Sequence, residues 1–168
     1  MITIIANIIM FAGCILLVLA GATKNPKLTV GLQTGQLAFA ATANILLGAY
    51  TGAVLNVVAI LRNLVVLKDK YIMPVRIGFV FIVIAAGIAT NDRGALGYGI
   101  TMGNAVFTAS LGAKRKELVK LALAFCVLWW ALYDFANKNY VGAAFDVATF
   151  MSSIVGYFRM RREMEKEE

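Results

Sequence analysis

Apolar residues in this chain come in blocks of one characteristic length. ITIIANIIMFAGCILLVLAGA near the start and GAVLNVVAILRNLVV at residues 52–66 are two of them, each bounded by a short polar or charged stretch. A helix needs about 20 residues to cross roughly 30 Å of hydrocarbon, and several blocks approach that length. Only 15% of the residues are charged, against about 25% in an ordinary soluble domain. The chain therefore reads as an all-α integral membrane protein. Hydropathy predicts seven transmembrane helices, at 2–22, 28–48, 49–67, 72–90, 94–113, 118–136 and 140–158.

The basic residues agree with that number. With seven spans, all but three of the 16 lysines and arginines fall on one side; Arg93 and Lys138 fall on the other, and Arg62 lies within helix 3. The positive-inside rule makes the rich side cytoplasmic, which puts the N-terminus outside and the C-terminus inside. The net charge of +7 thus sets topology, and no nucleic-acid partner is expected. The first block lacks a basic leader and six spans follow it, so it reads as a helix and not as a secretory signal. Cys14 and Cys126 fall inside apolar segments, with no C-x-x-C and no histidine in the chain. Disulfides, metal sites and a histidine base have no support, no cofactor is expected, and the cysteines read as packing residues.

Sliding the chain against itself by 90 residues aligns YTGAVLNVV from Tyr50 with YVGAAFDVA from Tyr140. Asn44 then meets Asp134, Asn56 meets Asp146, and Lys24 meets Lys114. Polar residues meet polar residues and helix ends meet helix ends, as an internal repeat requires. The expected architecture is two parallel three-helix bundles joined by a linker helix. The divisions are 1–71 for the first bundle, 72–91 for the linker, 92–159 for the second bundle and 160–168 for a charged cytoplasmic tail. Parallel repeats of this kind are a transporter plan, with a solute site between the halves near the midplane.

Polar residues inside the spans are the candidate site. Asn56 and Asp146 lie about 5 Å from the midplane, where an acid costs on the order of 3 kcal/mol and needs a partner or a watery cavity. Asn63 follows Asn56 by seven residues on nearly the same face; Thr149 and Ser153 follow Asp146 in the same way. Helix–helix hydrogen bonding with no ligand role is the competing reading for Asn63, Thr149 and Ser153. Arg62 can reach toward the headgroups as an anchor, or pair with an acid or with carbonyls in the bundle. Trp129 and Trp130 sit deeper than an interfacial belt, and Asp134 shares the face of Trp130; an aromatic wall for a solute and plain packing are both open. GLQTG (31–35) and GITMG (99–103) permit close helix approach. GYGITMG imitates a dinucleotide fingerprint but has no strand before it.

LGAYTGAVLN, ILRNLVVLK, WALYDF, the G-A-A-F-D run ending at Asp146, and YFRMRR together resemble the YgjV family of bacterial inner-membrane proteins. That family is distantly similar to the PQ-loop and SWEET-type carriers, which share a three-plus-one-plus-three plan with the N-terminus outside. The resemblance implies a multi-pass protein of the bacterial inner membrane. It further implies a pocket between polar residues of helices 3 and 7 with tryptophans nearby, positions that Asn56, Asp146 and Trp130 occupy here. The chain departs from those carriers in three respects. Phe39 and Ala40 stand opposite Trp129 and Trp130, no proline lies in a helix core, and there is no Pro-Gln pair.

The expected function is small-solute transport by alternating access. Asn56, Asp146, Trp130, Asn63 and Ser153 would bind the solute; Asp146 and Asp134 would take a proton or cation; Arg62 would be a structural anchor or part of an ion pair. The alternative is a non-transporting membrane protein, an assembly partner or sensor docking through RMRREMEKEE. No nucleophile–base pair or metal cluster is visible, so no enzymatic activity is expected. The expected partners are the lipid bilayer and an unidentified small solute, with homo-oligomerisation left open.

Overall fold

A computed structural model describes residues 1–23, 25–111, 113 and 115–164. The aligned pair Lys24 and Lys114, and the tail residues 165–168, lie outside the described residues. The described residues form seven helices: α1 (Ile2–Ala22), α2 (Pro26–Leu46), α3 (Tyr50–Leu67), α4 (Met73–Ala89), α5 (Ala95–Ser110), α6 (Lys116–Ala136) and α7 (Tyr140–Met164). Four spans, Ile2–Ala20, Tyr50–Leu67, Glu117–Ala136 and Tyr140–Arg162, are long and apolar enough to cross a membrane. α2 has the length but carries Lys27, Gln33 and Gln36; α4 and α5, at 17 and 16 residues, are about 25 Å long.

Local chemistry sets the helix ends. Asn25 accepts hydrogen bonds from the Lys27 and Leu28 amides and Pro26 opens α2, the preferred way to start a helix. Pro74 does the same for α4. α7 runs past the expected end at 158 because nothing in FRMRREM breaks it, and Arg161 and Arg162 in its last turn complement the helix dipole.

The α2–α3 and α6–α7 connections are the same turn, 90 residues apart. In both, the third residue from the helix end accepts the final amide: Ala49 N–H to Asn44 O at 2.8 Å, and Asn139 N–H to Asp134 O at 2.9 Å. Gly48 N–H bonds Ile45 O and Lys138 N–H bonds Phe135 O, each at 3.1 Å. This is the Schellman arrangement. Its left-handed residue is Gly48 (φ +69°) in one turn and Lys138 (φ +63°) in the other. Glycine adopts that conformation freely; lysine does so at a cost of about 1 kcal/mol.

Each helix packs on its neighbours in sequence, α1 on α2 through to α6 on α7; α7 closes on α1, and α3 also meets α5. Polarity is inverted relative to a soluble protein. Ile4, Ile8, Phe11, Phe81, Met151 and Val155 are exposed, while Asn44, Asn56, Arg62, Asn104 and Asp134 are buried. Leu55, Val58, Phe79, Val83 and Ile100 form one core, and Ala6, Met10, Cys14, Ala40 and Ala43 a second. Both cysteines are buried thiols.

The two G-x-x-x-G runs differ. A Cβ on Gly103 would lie 2.9 Å from the Cys126 Cα, and Gly99 faces the Trp129 ring, whereas Gly31 has nothing within 4 Å. Gly103→Ala should therefore force α5 and α6 apart at about 1.5 kcal/mol. Gly31→Ala should be neutral or stabilising by up to about 1 kcal/mol through helix propensity. Comparing the unfolding of the two variants in detergent checks this; equal effects would mean that the α5–α6 contact is slack.

Candidate functional site

Polar groups gather at two ends of the bundle. At the end holding the α2–α3, α4–α5 and α6–α7 connections, the hub is Asp92. Its carboxylate accepts the Tyr50 amide at 2.5 Å and the Tyr133 hydroxyl at 3.0 Å. Thr51 Oγ1 lies 2.6 Å from Asp92 Oδ1 and 2.7 Å from the Thr90 carbonyl, so its single proton serves either, and it accepts the Asp92 amide at 3.0 Å. Tyr133 in turn accepts the Gly52 amide at 3.1 Å. The cause is a missing cap. α7 is preceded by Asn139, whose Oδ1 accepts the Gly142 amide at 3.2 Å; α3 is preceded by Ala49, which has no capping side chain. Asp92 caps α3 from another loop, and its charge suits the positive end of the helix.

The same end carries two further ties. Arg93 Nε donates to Asn137 Oδ1 at 2.7 Å. Asn7 of α1 donates to the Lys138 carbonyl at 2.9 Å and accepts the Val141 amide at 3.0 Å. Just below, Asp134 is 2% exposed and Asn44 1%. Asn139 Nδ2 bonds Asp134 Oδ2 at 2.9 Å, but among the described residues Asp134 Oδ1 and Asn44 Oδ1 have no partner. Gly52 lies against Asn44, and Gly142 against Asp134: in each hairpin a glycine makes room for a buried polar side chain.

At the opposite, basic end, Arg62 turns into the bundle and is 8% exposed. Nη1 donates to Thr108 Oγ1 at 3.1 Å and Nη2 to Asn63 Oδ1 at 3.4 Å, with the Phe107 ring centroid 5.5 Å from the guanidinium carbon. The Tyr71 hydroxyl lies 3.4 Å from the Thr108 carbonyl, and Arg76 Nη1 donates to the Leu111 carbonyl at 2.6 Å. Burial pushes the Tyr71 phenol above its usual pKa range, so it stays a neutral donor.

Of the residues predicted from sequence, Arg62 and Asn63 are in contact, and Asp134 and Asp146 are electrostatic neighbours. Trp130 meets Tyr133 edge-on at 6.0 Å and borders Gly52, while Trp129 packs on Gly99. Asn56 is buried with Nδ2 unpartnered. Ser153 is buried and Asp146 half-buried. Among the described residues, no hydrogen bond joins Asn56 or Asn63 to Asp146 or Ser153. The Thr149 hydroxyl bonds back to the Phe145 carbonyl at 2.8 Å. A 460 Å³ groove lies between α1 and the start of α7, and a 230 Å³ cleft borders Arg93, Asn137 and Lys138; neither is lined by a predicted site residue.

Sequence reasoning missed Asp92, Tyr133, Thr51 and Thr108. A signal for the first existed: at the position 90 residues before Asn139 stands alanine, which leaves a helix start without its own cap.

Seven packed helices with an apolar exterior and buried asparagines, acids and an arginine define a multi-pass helical membrane protein. The sequence model of the Imp-YgjV family, described as bacterial inner membrane protein, matches residues 4–164. The chain belongs to that family and is a multi-pass protein of the bacterial inner membrane. No curated protein and no solved structure matches it.

Proposed function

We propose that this chain is a small-solute carrier of the SWEET and PQ-loop-like class, built as two parallel three-helix units around α4 and working by alternating access. The observation that carries the reading is the correspondence at 90 residues. α2 and α6 have boundaries offset by 90, the following helices both begin at a tyrosine so offset, and the two turns share their hydrogen bonds. Helix neighbours obey the same shift: α1·α2 answers to α5·α6, α2·α3 to α6·α7, and α3·α5 to α7·α1. A pseudo-twofold relation of this kind supplies two units able to rock against each other.

In this reading the hairpin end faces outward and the basic end faces the cytoplasm. The ties made by Asp92, Tyr133 and Asn7 then hold the outer side shut. Asn56, Asn63, Trp130, Asp146 and Ser153 would meet the solute once the units separate, and Asp146 with Asp134 would take up a proton or cationic group.

The test is a thermal-stability screen of purified protein against sugars, amino acids, nucleosides and vitamins, followed by uptake into proteoliposomes. A binder raises the Tm by mass action, and Asp146→Asn should abolish the rise. Uptake should increase with an inward proton gradient in wild type and lose that dependence in Asp146→Asn. Deleting residues 160–168 should leave uptake intact. Loss of function on that deletion, with no binder in the screen, would favour a docking protein instead.

A further inference from the structure

We infer that Arg62, through its Nε and Nη2 edge, is the binding site for an oxyanion, a carboxylate or phosphate that the chain itself does not supply. The guanidinium has five N–H donors, and two are used: one to Thr108 at 3.1 Å and one, long, to Asn63 at 3.4 Å. Phe107 occupies the region over the guanidinium, 5.5 Å from its carbon. Nε is buried with no partner among the described residues, and the one bond made by Nη2, to Asn63, is long at 3.4 Å. These two nitrogens form the fork whose parallel N–H bonds match two oxygens of one carboxylate or phosphate.

Charge argues the same way. Among the described residues no carboxylate lies within ion-pair distance of Arg62; Asp69 pairs with Lys27 and Glu117 with Arg115. The ionisable groups that flank it are Tyr71 and Cys126, both ordinarily uncharged at neutral pH. Of the buried acids, Asp134 lies at the hairpin end and Glu117 is paired with Arg115 at 2.6 Å. Asp146 is six residues into α7 from the hairpin end and Arg62 twelve residues into α3, so they differ in depth by about 9 Å. A cation held in a bundle by neutral groups, with Nε of its fork unpaired, lacks its counter-charge.

The oxyanion has two available sources: a free solute, or the phosphate of an anionic lipid in the leaflet at the basic end. The inference concerns binding and stands apart from the carrier reading, since oxyanion binding without uptake would remove that reading and leave this one intact.

The experiment measures Tm in detergent with inorganic phosphate and with succinate. It is repeated in phosphatidylcholine nanodiscs with and without phosphatidylglycerol. Wild type, Arg62→Gln, Arg62→Lys and Thr108→Val are compared. A saturable rise of roughly 5 °C at about a hundred times Kd is expected in wild type and not in Arg62→Gln. Arg62→Lys keeps the charge and loses the fork, so its Kd should be weaker by about tenfold or more. Thr108→Val leaves the unpaired edge in place and should still bind. A rise with phosphate or succinate assigns a free oxyanion, and one confined to phosphatidylglycerol discs assigns a lipid. No rise in either arm, or an equal rise in Arg62→Gln, overturns the proposal. If Arg62→Gln does not fold, Arg62→Lys decides: binding equal to wild type overturns the fork.

Discussion

Asp92→Ala should cost the purified protein roughly 3 kcal/mol of stability, an unusual loss for a residue in a connecting loop. Its carboxylate holds the first amide of α3 and the Tyr133 hydroxyl, and shares the Thr51 proton with the Thr90 carbonyl, so truncation leaves a helix start and a tyrosine short of an acceptor together. Hydrogen bonds to a charged group are worth more than neutral ones, and the favourable charge at the helix N-terminus adds to them. Asp92→Asn keeps the shape and loses the charge; it should cost about 1 kcal/mol. Tyr133→Phe strips the acceptor from the Gly52 amide and should cost about 1.5 kcal/mol. Since Asp92 and Tyr133 bond each other, the double variant should lose less than the singles added, by about 1 kcal/mol. Unfolding in detergent measures all four. An Asp92→Ala value within about 0.5 kcal/mol of wild type, as for an ordinary surface change, would mean that the hub is not formed.

The second large effect lies at the two glycines that face the hairpin ends. A Cβ at Gly52 would sit 2.7 Å from Asn44 Nδ2 and 2.8 Å from Tyr133 Cε1. At Gly142 it would overlap Asp134 Oδ2 and stand 2.6 Å from Asn139 Nδ2. Either alanine must displace a buried polar side chain, and the second also breaks the Asp134–Asn139 bond, so each should cost about 2–3 kcal/mol. The two should match within about 1 kcal/mol, because the hairpins share one geometry. Valine should be worse at both. The reading is checked by comparing both alanine variants with Gly31→Ala under one denaturation protocol. It fails if Gly52→Ala or Gly142→Ala behaves like Gly31→Ala.

What could be read in advance follows the range of the interaction responsible. Apolar blocks and their polar borders are local, so seven helices appear close to where hydropathy puts them; α1 runs from Ile2 to Ala22 against an expected 2–22. The family likeness, carried by runs such as ILRNLVVLK and G-A-A-F-D, was legible for the same reason. Asp92 was not, because its partners Thr51 and Tyr133 are each 41 residues away, and hydropathy carries no record of who caps whom. For Arg62 the sequence left two places open, the headgroups or the bundle. Thr108, 46 residues on, holds it inside, and no periodicity in helix 3 names a threonine in helix 5. The lengths of α4 and α5 were overestimated by hydropathy because apolar loop residues such as Leu111 extend a block without extending the helix.

Asn7 gives the order of synthesis a structural meaning. It lies in the second turn of a helix rich in isoleucine, and its side chain is satisfied by Lys138 and Val141, 131 and 134 residues later. Before the last hairpin is made, the partner that α1 itself offers this amide is the Thr3 carbonyl, 2.8 Å away. Closing α7 on α1 is then the event that marks the nascent chain as finished. A chain that stops before Lys138 lacks both of these partners for Asn7, and a polar side chain left in lipid carries a cost that closing α7 on α1 removes.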